Sequence, residues 1–217
     1  RRDRVYLIAH ANDELTELGW IHYGRYLHER LKGKPTQYIT KKQEFYGRDF
    51  YVAAGVLIPR PETELLVEVV AGRKPVSVVD VGTGSGCIAL ALAKKLPAAQ
   101  IVGIDASAEA LEVATANAKR CELEKNVRFL QSDLLSGLPD SFTCDAIVSN
   151  PPYIASGELA KLPREVKDFE PVPALIAGED GLEVIRRLVM NAKRFLSTPA
   201  GFVALEIGAG QREAVEN

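Results

Sequence analysis

Apolar positions along the chain follow a helical spacing at first and a strand–helix alternation later. From about Leu15 to Leu31, Trp20, Tyr23, Leu27 and Leu31 fall on one face of a helix, and Gly33 is placed to cap its C-terminus. That stripe is expected either to pack against the following domain or to form a docking face. "EFYGRDFYV" (Glu44 to Val52) reads as two short aromatic strands around Gly47, a hairpin. In "IPRPETELLVEVV", Pro61 starts a helix whose first turn carries Glu62 and Glu64, where the helix dipole favours anions.

After Pro75 strands and helices alternate. "VSVVDV" (76–81) is a buried-strand run, and "CIALALAKKLP" is an apolar helix with Lys94 and Lys95 in its last turn, stopped by Pro97. "QIVGID" is a second strand. "SAEALEVATANAKR" is a helix capped by Ser107, with Leu111, Ala114 and Ala118 on one stripe. "NVRFLQSD" and "DAIVSN" give a third and a fourth strand. "GLEVIRRLVMNAKRFL" is a helix with Leu182, Ile185, Val189 and Ala192 facing inward, and "GFVALEIG" is a fifth strand. Such alternation predicts a doubly wound, mostly parallel α/β sheet with its ligands at the carboxyl ends of the strands.

The Gly-rich segment "DVGTGSG" (Asp80 to Gly86) joins the first of these strands to its helix. Its glycines allow a tight turn and a close approach of a ligand to the backbone, but the spacing is G-x-G-x-G, not that of dinucleotide binders. Asp105 ends the next strand, where a carboxylate can accept both hydroxyls of a ribose. Asp133, after the third strand, would meet the base of the same ligand. Nothing clearly binds a pyrophosphate, so the set favours S-adenosylmethionine over NAD.

"SNPPYI" (149–154) stops the fourth strand abruptly, since neither proline can continue a sheet. In this topology its tip lies beside the Gly-rich turn, so Asn150 would reach the transferable methyl. A planar NH2 is a poor nucleophile because its lone pair is delocalised. The Asn150 side-chain oxygen and the Pro151 carbonyl can accept its two N–H bonds and favour the charge that develops on nitrogen. Pro151 and Pro152 stiffen the loop, and Tyr153 offers a flat apolar surface. The chemistry requires no metal and no covalent nucleophile.

Composition narrows the classes further. Of 217 residues, 47% are hydrophobic and 26% charged, with 27 Lys plus Arg against 29 Asp plus Glu and a net charge of −2. A dedicated nucleic-acid binder usually carries a basic excess, so DNA or RNA is disfavoured as main partner. Cys87, Cys121 and Cys144 lack paired spacing, and His10, His22 and His28 lack ligand-like company, so neither disulfides nor a metal site is expected. No apolar run reaches the roughly 18 residues of a membrane span, and no signal peptide is visible, which predicts a soluble, cytoplasmic protein. The start at Arg1-Arg2, without Met, reads as part of a longer protein.

The chain resembles the HemK/PrmC-type protein-glutamine N5-methyltransferases, which modify peptide chain release factors. "QYIT", "QEFYG", "VLIPRPETELLVE", "DVGTGSG", "GID", "QSDLL", "VSNPPYI", "EPVPAL", "EDGL" and "LEIG" occur in that family's order. "NPPY" is shared with amino-methyltransferases acting on adenine or guanine; "PRPETE" (Pro59 to Glu64) is far more specific. The resemblance implies a class I S-adenosylmethionine-dependent methyltransferase fold and transfer to the glutamine of a Gly-Gly-Gln loop, leaving S-adenosylhomocysteine. It implies cofactor contacts at Gly82, Thr83, Gly84, Ser85, Gly86, Asp105 and Leu134, and glutamine contacts at Asn150, Pro151, Pro152 and Tyr153, with Asn150 also near the cofactor. The expected organisation is a partial N-terminal helical subdomain (1–38), a hairpin linker (39–60) and a methyltransferase domain (61–217). Two departures are expected: the family's N-terminal domain is longer, and its closing antiparallel strand pair is absent here. A nucleic-acid amino-methyltransferase is the alternative reading, and an NAD-linked oxidoreductase or a non-catalytic binding module are more distant ones.

Overall fold

The computed structural model describes residues 4–197 and 200–216; the Arg1-Arg2 start and the Asn217 end lie outside the described residues. Three helices come first, α1 (Arg4–Ala9), α2 (Glu17–Leu31) and α3 (Thr36–Thr40). Thr16 caps α2 through its side chain, which accepts from the Gly19 N–H, and Gly33 follows with φ of 95°. The apolar stripe on α2 does not join the core, which disfavours the first of the two roles expected of it. No α2 residue is buried, and Trp20 is 58% exposed. What ties this segment down lies beyond α2, where Tyr38 of α3 is buried and its hydroxyl donates to the Val56 carbonyl. An Arg30–Glu165 ion pair of 2.8 Å adds a surface link.

The hairpin pairs β1 (Gln43–Phe45) with β2 (Arg48–Phe50), and Phe45 and Phe50 are fully buried with their rings edge-to-face. A single 3-10 turn at Pro61–Thr63 then leads into α4 (Glu64–Gly72). The remaining chain alternates as β3 (Ser77–Val81), α5 (Cys87–Lys95), β4 (Gln100–Asp105), α6 (Ala108–Arg120), β5 (Val127–Gln131) and β6 (Ala146–Ser149). It continues with the short α7 (Arg164–Lys167), α8 (Glu183–Ala192), β7 (Phe202–Leu205) and α9 (Arg212–Glu216). After β7 the described residues add α9 and no strand, and β7 is half-buried along its length.

The five main strands are parallel in the order β5-β4-β3-β6-β7. The chain winds outward from β3 to β5, then returns to lay β6 on the other side of β3. That reversal opens a crevice at the carboxyl ends of β3 and β6, where doubly wound sheets bind ligands. Side chains alternate across the sheet as strand geometry requires. Val78 packs with α4 and α5, while Val79 and Val81 pack with α8 and the segment carrying Leu135 and Leu138. Among the described residues no helix is long and apolar enough to cross a membrane.

Two inward stripes differ in detail from the sequence expectation. On α6 the buried positions are Ala110, Val113, Ala114, Asn117 and Ala118, while Leu111 is only half-buried. On α8, Leu188 is fully buried and Val189 is 45% exposed, because the helix rotates Ile185, Leu188 and Ala192 onto the sheet. Leu188→Ala should therefore cost about 2–5 kcal/mol and Val189→Ala no more than about 0.5 kcal/mol. Urea unfolding of the two variants checks this; equal losses would mean that α8 is rotated from the orientation described.

Candidate active site

The Gly-rich turn begins where β3 runs out. The Gly82 and Thr83 N–H groups both donate to the Ile104 carbonyl at 2.8 Å, fastening the turn to the end of β4. Gly82, Gly84 and Gly86 all have positive φ, but their reasons differ. A side chain at Gly86 would meet Ala114 at 3.2 Å, so that glycine lets α5 and α6 approach each other. A Cβ on Gly82 would meet nothing within 4 Å, and one on Gly84 only the Gly82 carbonyl at 3.9 Å. Their faces are open, as a backbone cradle for a ligand requires.

Below the turn, Asp80 is fully buried. Its Oδ2 accepts from the Thr83 hydroxyl at 2.7 Å and from the Ala89 N–H at 3.1 Å, locking the turn to the first residues of α5. Burial pushes its carboxyl up to about 7. Asp80 Oδ1 and Ser85 Oγ are buried without a hydrogen-bond partner, one a carboxyl oxygen and the other a hydroxyl. Thr83 and Ser85 are both buried, so among the turn residues Gly82 and Gly84 are the accessible ones.

Asp105 stands at the tip of β4, half-exposed. Its Oδ2 accepts from the Gly84 N–H at 2.8 Å and its Oδ1 from the Ser107 N–H at 3.0 Å. Each carboxylate oxygen keeps a lone pair for a hydroxyl donor, so the residue can brace the turn and hold a diol together. Asp133 lies beyond β5, and its carboxylate pairs with Arg187 of α8 at 2.5 Å. Leu134 beside it is half-buried with φ of 50°, an unusual conformation for a bulky residue.

At the tip of β6 the Ser149 hydroxyl donates to the Val81 carbonyl at 2.6 Å, placing the next residues directly beside the Gly-rich turn. Asn150, Pro151, Pro152 and Tyr153 line one cavity of about 200 Å³ with Leu57, Arg60 and neighbouring apolar side chains. The Asn150 Nδ2 donates to Thr63 Oγ1 at 3.0 Å, and the Thr63 hydroxyl donates to Glu206 Oε2 at 2.6 Å. Gln211 clamps the Tyr153 carbonyl at 2.9 Å, and the lack of a side chain at Gly208 lets the loop lie against the Tyr153 ring. Burial raises the Tyr153 phenol above its ordinary range, so the ring remains neutral.

The fold thus gathers the sequence-predicted turn, Asp105 and the Asn150–Tyr153 loop at one crevice. Asp133 stands at the same end of the sheet with its carboxylate turned to Arg187. Several site residues were not singled out from sequence. Thr63 is only 2% exposed and touches Asn150. Arg60 pairs at 2.6 Å with Glu170, itself buried, and Glu64 accepts from the Tyr46 N–H at 2.8 Å. Every polar position of "RPETE" except Glu62 is therefore a tie between segments. Asn117, fully buried in α6, bonds both ways with the Tyr51 backbone and donates to the Ser85 carbonyl, fixing the hairpin and the turn to one side chain. A polar residue in the inward stripe of α6 was the signal that could have revealed it.

Comparison with known proteins identifies the family. Residues 61–163 match the family model "Methyltransferase small domain", and residues 1–40 match "PrmC N-terminal domain". A release factor glutamine methyltransferase of Koribacter versatilis is 48% identical over 210 residues, 95% of this chain and 74% of that protein. One from Clostridium acetobutylicum is 41% identical over 222 residues, spanning 100% of this chain and 78% of its own length. Among solved structures, the Thermus thermophilus 16S rRNA N2 G1207 methyltransferase with AdoMet and guanosine superposes with a TM-score of 0.60. It is 22% identical, covering 81% of this chain and 44% of that one. The ribosomal protein L11 methylase of Lactobacillus delbrueckii gives 0.53 at 22% identity, with 80% and 76% covered. At such identities the two structures speak for the fold alone.

Proposed function

The chain belongs to the release factor glutamine methyltransferases, and from that premise we propose that its substrate is the glutamine of a release factor's Gly-Gly-Gln loop. The enzyme is an S-adenosylmethionine-dependent methyltransferase that modifies a glutamine side-chain amide nitrogen. The observation that carries the assignment of the site is the adjacency of two strand tips. The open Gly-rich turn after β3 and the Asn150–Tyr153 loop after β6 share one crevice.

The residues present suit the cofactor. Gly82 and Gly84 offer an open backbone face and Asp105 keeps lone pairs for a ribose diol, with Asp133 and Leu134 following β5 on the side proposed for the base. When bound, S-adenosylmethionine supplies an electrophilic methyl group on a sulfonium. On the substrate side, the cavity accepts the glutamine side chain. Asn150 Oδ1 and the Pro151 carbonyl receive its two amide N–H bonds, which orients the nitrogen and favours the positive charge it acquires. Tyr153 forms a flat wall beside the planar amide, and the prolines hold both acceptors in place before substrate arrives. Apolar neighbours such as Leu57 and Leu175 exclude water from the cavity. The near-balanced net charge of −2 supports a protein substrate over a nucleic acid.

The test is methyl transfer from labelled S-adenosylmethionine to a purified release factor, with DNA and RNA as parallel acceptors and mass mapping of the product. The label is expected on the Gly-Gly-Gln glutamine alone. Label on nucleic acid, or none on the release factor, would overturn the substrate assignment.

A further inference from the structure

We propose that Thr63 and Glu206 are positioning residues for this reaction, setting the flip of the Asn150 amide so that its oxygen faces the substrate. The inference deepens the glutamine-methyltransferase reading above and rests on it. An asparagine side chain has an acceptor end and a donor end of nearly the same shape, and only one end suits an incoming amide NH2. If Nδ2 faced the cavity, donor would meet donor and the nucleophile would be turned away. Something in the fold must choose.

The choice follows from proton bookkeeping along three side chains. An ionised Glu206 can only accept, so the Thr63 hydroxyl must spend its single proton on Oε2, 2.6 Å away. Thr63 Oγ1 is then an acceptor towards Asn150 and takes the Nδ2–H at 3.0 Å. The same Asn150 amide lies near enough to the Glu206 carboxyl to favour its ionised form. The opposite flip would set Asn150 Oδ1 against a hydroxyl oxygen whose proton is already committed and against a carboxylate. With Thr63 2% exposed, no solvent is at hand to repair that mismatch. Oδ1 is left for the substrate.

The three residues come from separate segments, which makes the arrangement a product of the fold. Thr63 lies on the 3-10 turn before α4, Asn150 follows β6, and Glu206 follows β7. The β6–β7 pairing fixes two of them, since Ser149 is in register with Leu205 and the Glu206 N–H donates to the Ser149 carbonyl at 3.0 Å. The proposal accounts for the threonine of "PRPETE" and the glutamate of "LEIG" by one contact.

The experiment compares Thr63→Val, Thr63→Ser and Glu206→Gln with the parent in single-turnover methylation of release factor, alongside cofactor binding by calorimetry. Thr63→Val keeps the side-chain shape and should slow methyl transfer by roughly 10- to 100-fold, with cofactor affinity and the KM for release factor little changed. Thr63→Ser should recover most of the rate, because it restores the hydroxyl. Glu206→Gln should also slow it, since a neutral amide can donate to Thr63 and release its proton towards Asn150. On an Asn150→Ala background, Thr63→Val should cost little more. Parent-like turnover by Thr63→Val, or full additivity with Asn150→Ala, would overturn the proposal. A second readout needs no substrate: the Asn150 side-chain NH2 resonances, assigned by their loss in Asn150→Ala, should exchange with solvent faster in Thr63→Val. Unchanged exchange would also overturn it. A parent inactive on release factor would instead remove the substrate reading, and the exchange measurement would still decide the flip.

Discussion

Asn150→Ala is expected to lower kcat by on the order of 10²-fold or more, the usual cost of deleting one preorganised polar contact to a developing charge. The fold and most of the cofactor affinity should persist, because the other residues proposed to hold the cofactor follow β3, end β4 and follow β5. Asn150→Asp is the informative control. A carboxylate keeps an acceptor at the same place, yet it also meets Thr63, whose hydroxyl is bonded to Glu206, so the two carboxylates share one hydroxyl. Two carboxylates at one site do not both ionise easily, so the pair should hold a proton well above the ordinary carboxylate range. Glu206 is already raised by burial and then by the charge of Glu62, with Thr63, Asn150 and Arg60 opposing. While that proton is bound, the new Asp can donate toward Thr63 or Glu206 and offer its other oxygen to the substrate, as the amide does. As pH rises the proton leaves, and two adjacent negative charges replace a donor–acceptor pair. The Asp variant should therefore fall between parent and Ala, and its single-turnover rate should decline with rising pH in a range where the parent's does not. An Ala variant as fast as the parent would make Asn150 structural.

The parts of this site that could be read from sequence are those written in backbone chemistry. Glycines with a required positive φ, prolines that end a strand and an acidic strand tip leave marks in a single sequence, and Gly82, Gly84, Asp105, Pro151 and Pro152 carry them. Strand positions were legible because burial on both faces writes a continuous apolar run such as Ala146 to Val148. Helix faces were less so. On α8 both Leu188 and Val189 are apolar, and one residue of helix rotation decides which is buried. The α2 stripe was legible as a helix face, but whether it is covered was not, since periodicity reports a face and not what covers it. Thr63 and Glu206 were illegible for a different reason. Each is an ordinary polar residue whose meaning lies in a partner far along the chain, such as Thr63 with Asn150 and Glu206. No local pattern encodes that pairing. Only the β3–β6–β7 register creates it.

Asp105→Ala should weaken cofactor binding by on the order of 10²-fold or more. Two hydrogen bonds from a carboxylate to ribose hydroxyls are each worth about 1.5–3 kcal/mol. The structure adds a second loss, because Asp105 also satisfies the Gly84 and Ser107 N–H groups. Removing it frees the turn that must lie close to the ligand. Asn is no benign replacement here: with a single acceptor oxygen it can serve one backbone N–H only by pointing its own NH2 at the other, a donor against a donor. Asp105→Asn should accordingly bind nearly as poorly as Asp105→Ala, whereas Asp105→Glu, with both oxygens but a longer stem, should lie between. Calorimetry with both S-adenosylmethionine and S-adenosylhomocysteine separates the possible causes. The two share the ribose and differ at the sulfonium, so a ribose contact must cost both ligands the same factor. Loss confined to S-adenosylmethionine would mean that the carboxylate acts on the sulfonium charge. Unchanged affinity for both would place the ribose away from the tip of β4.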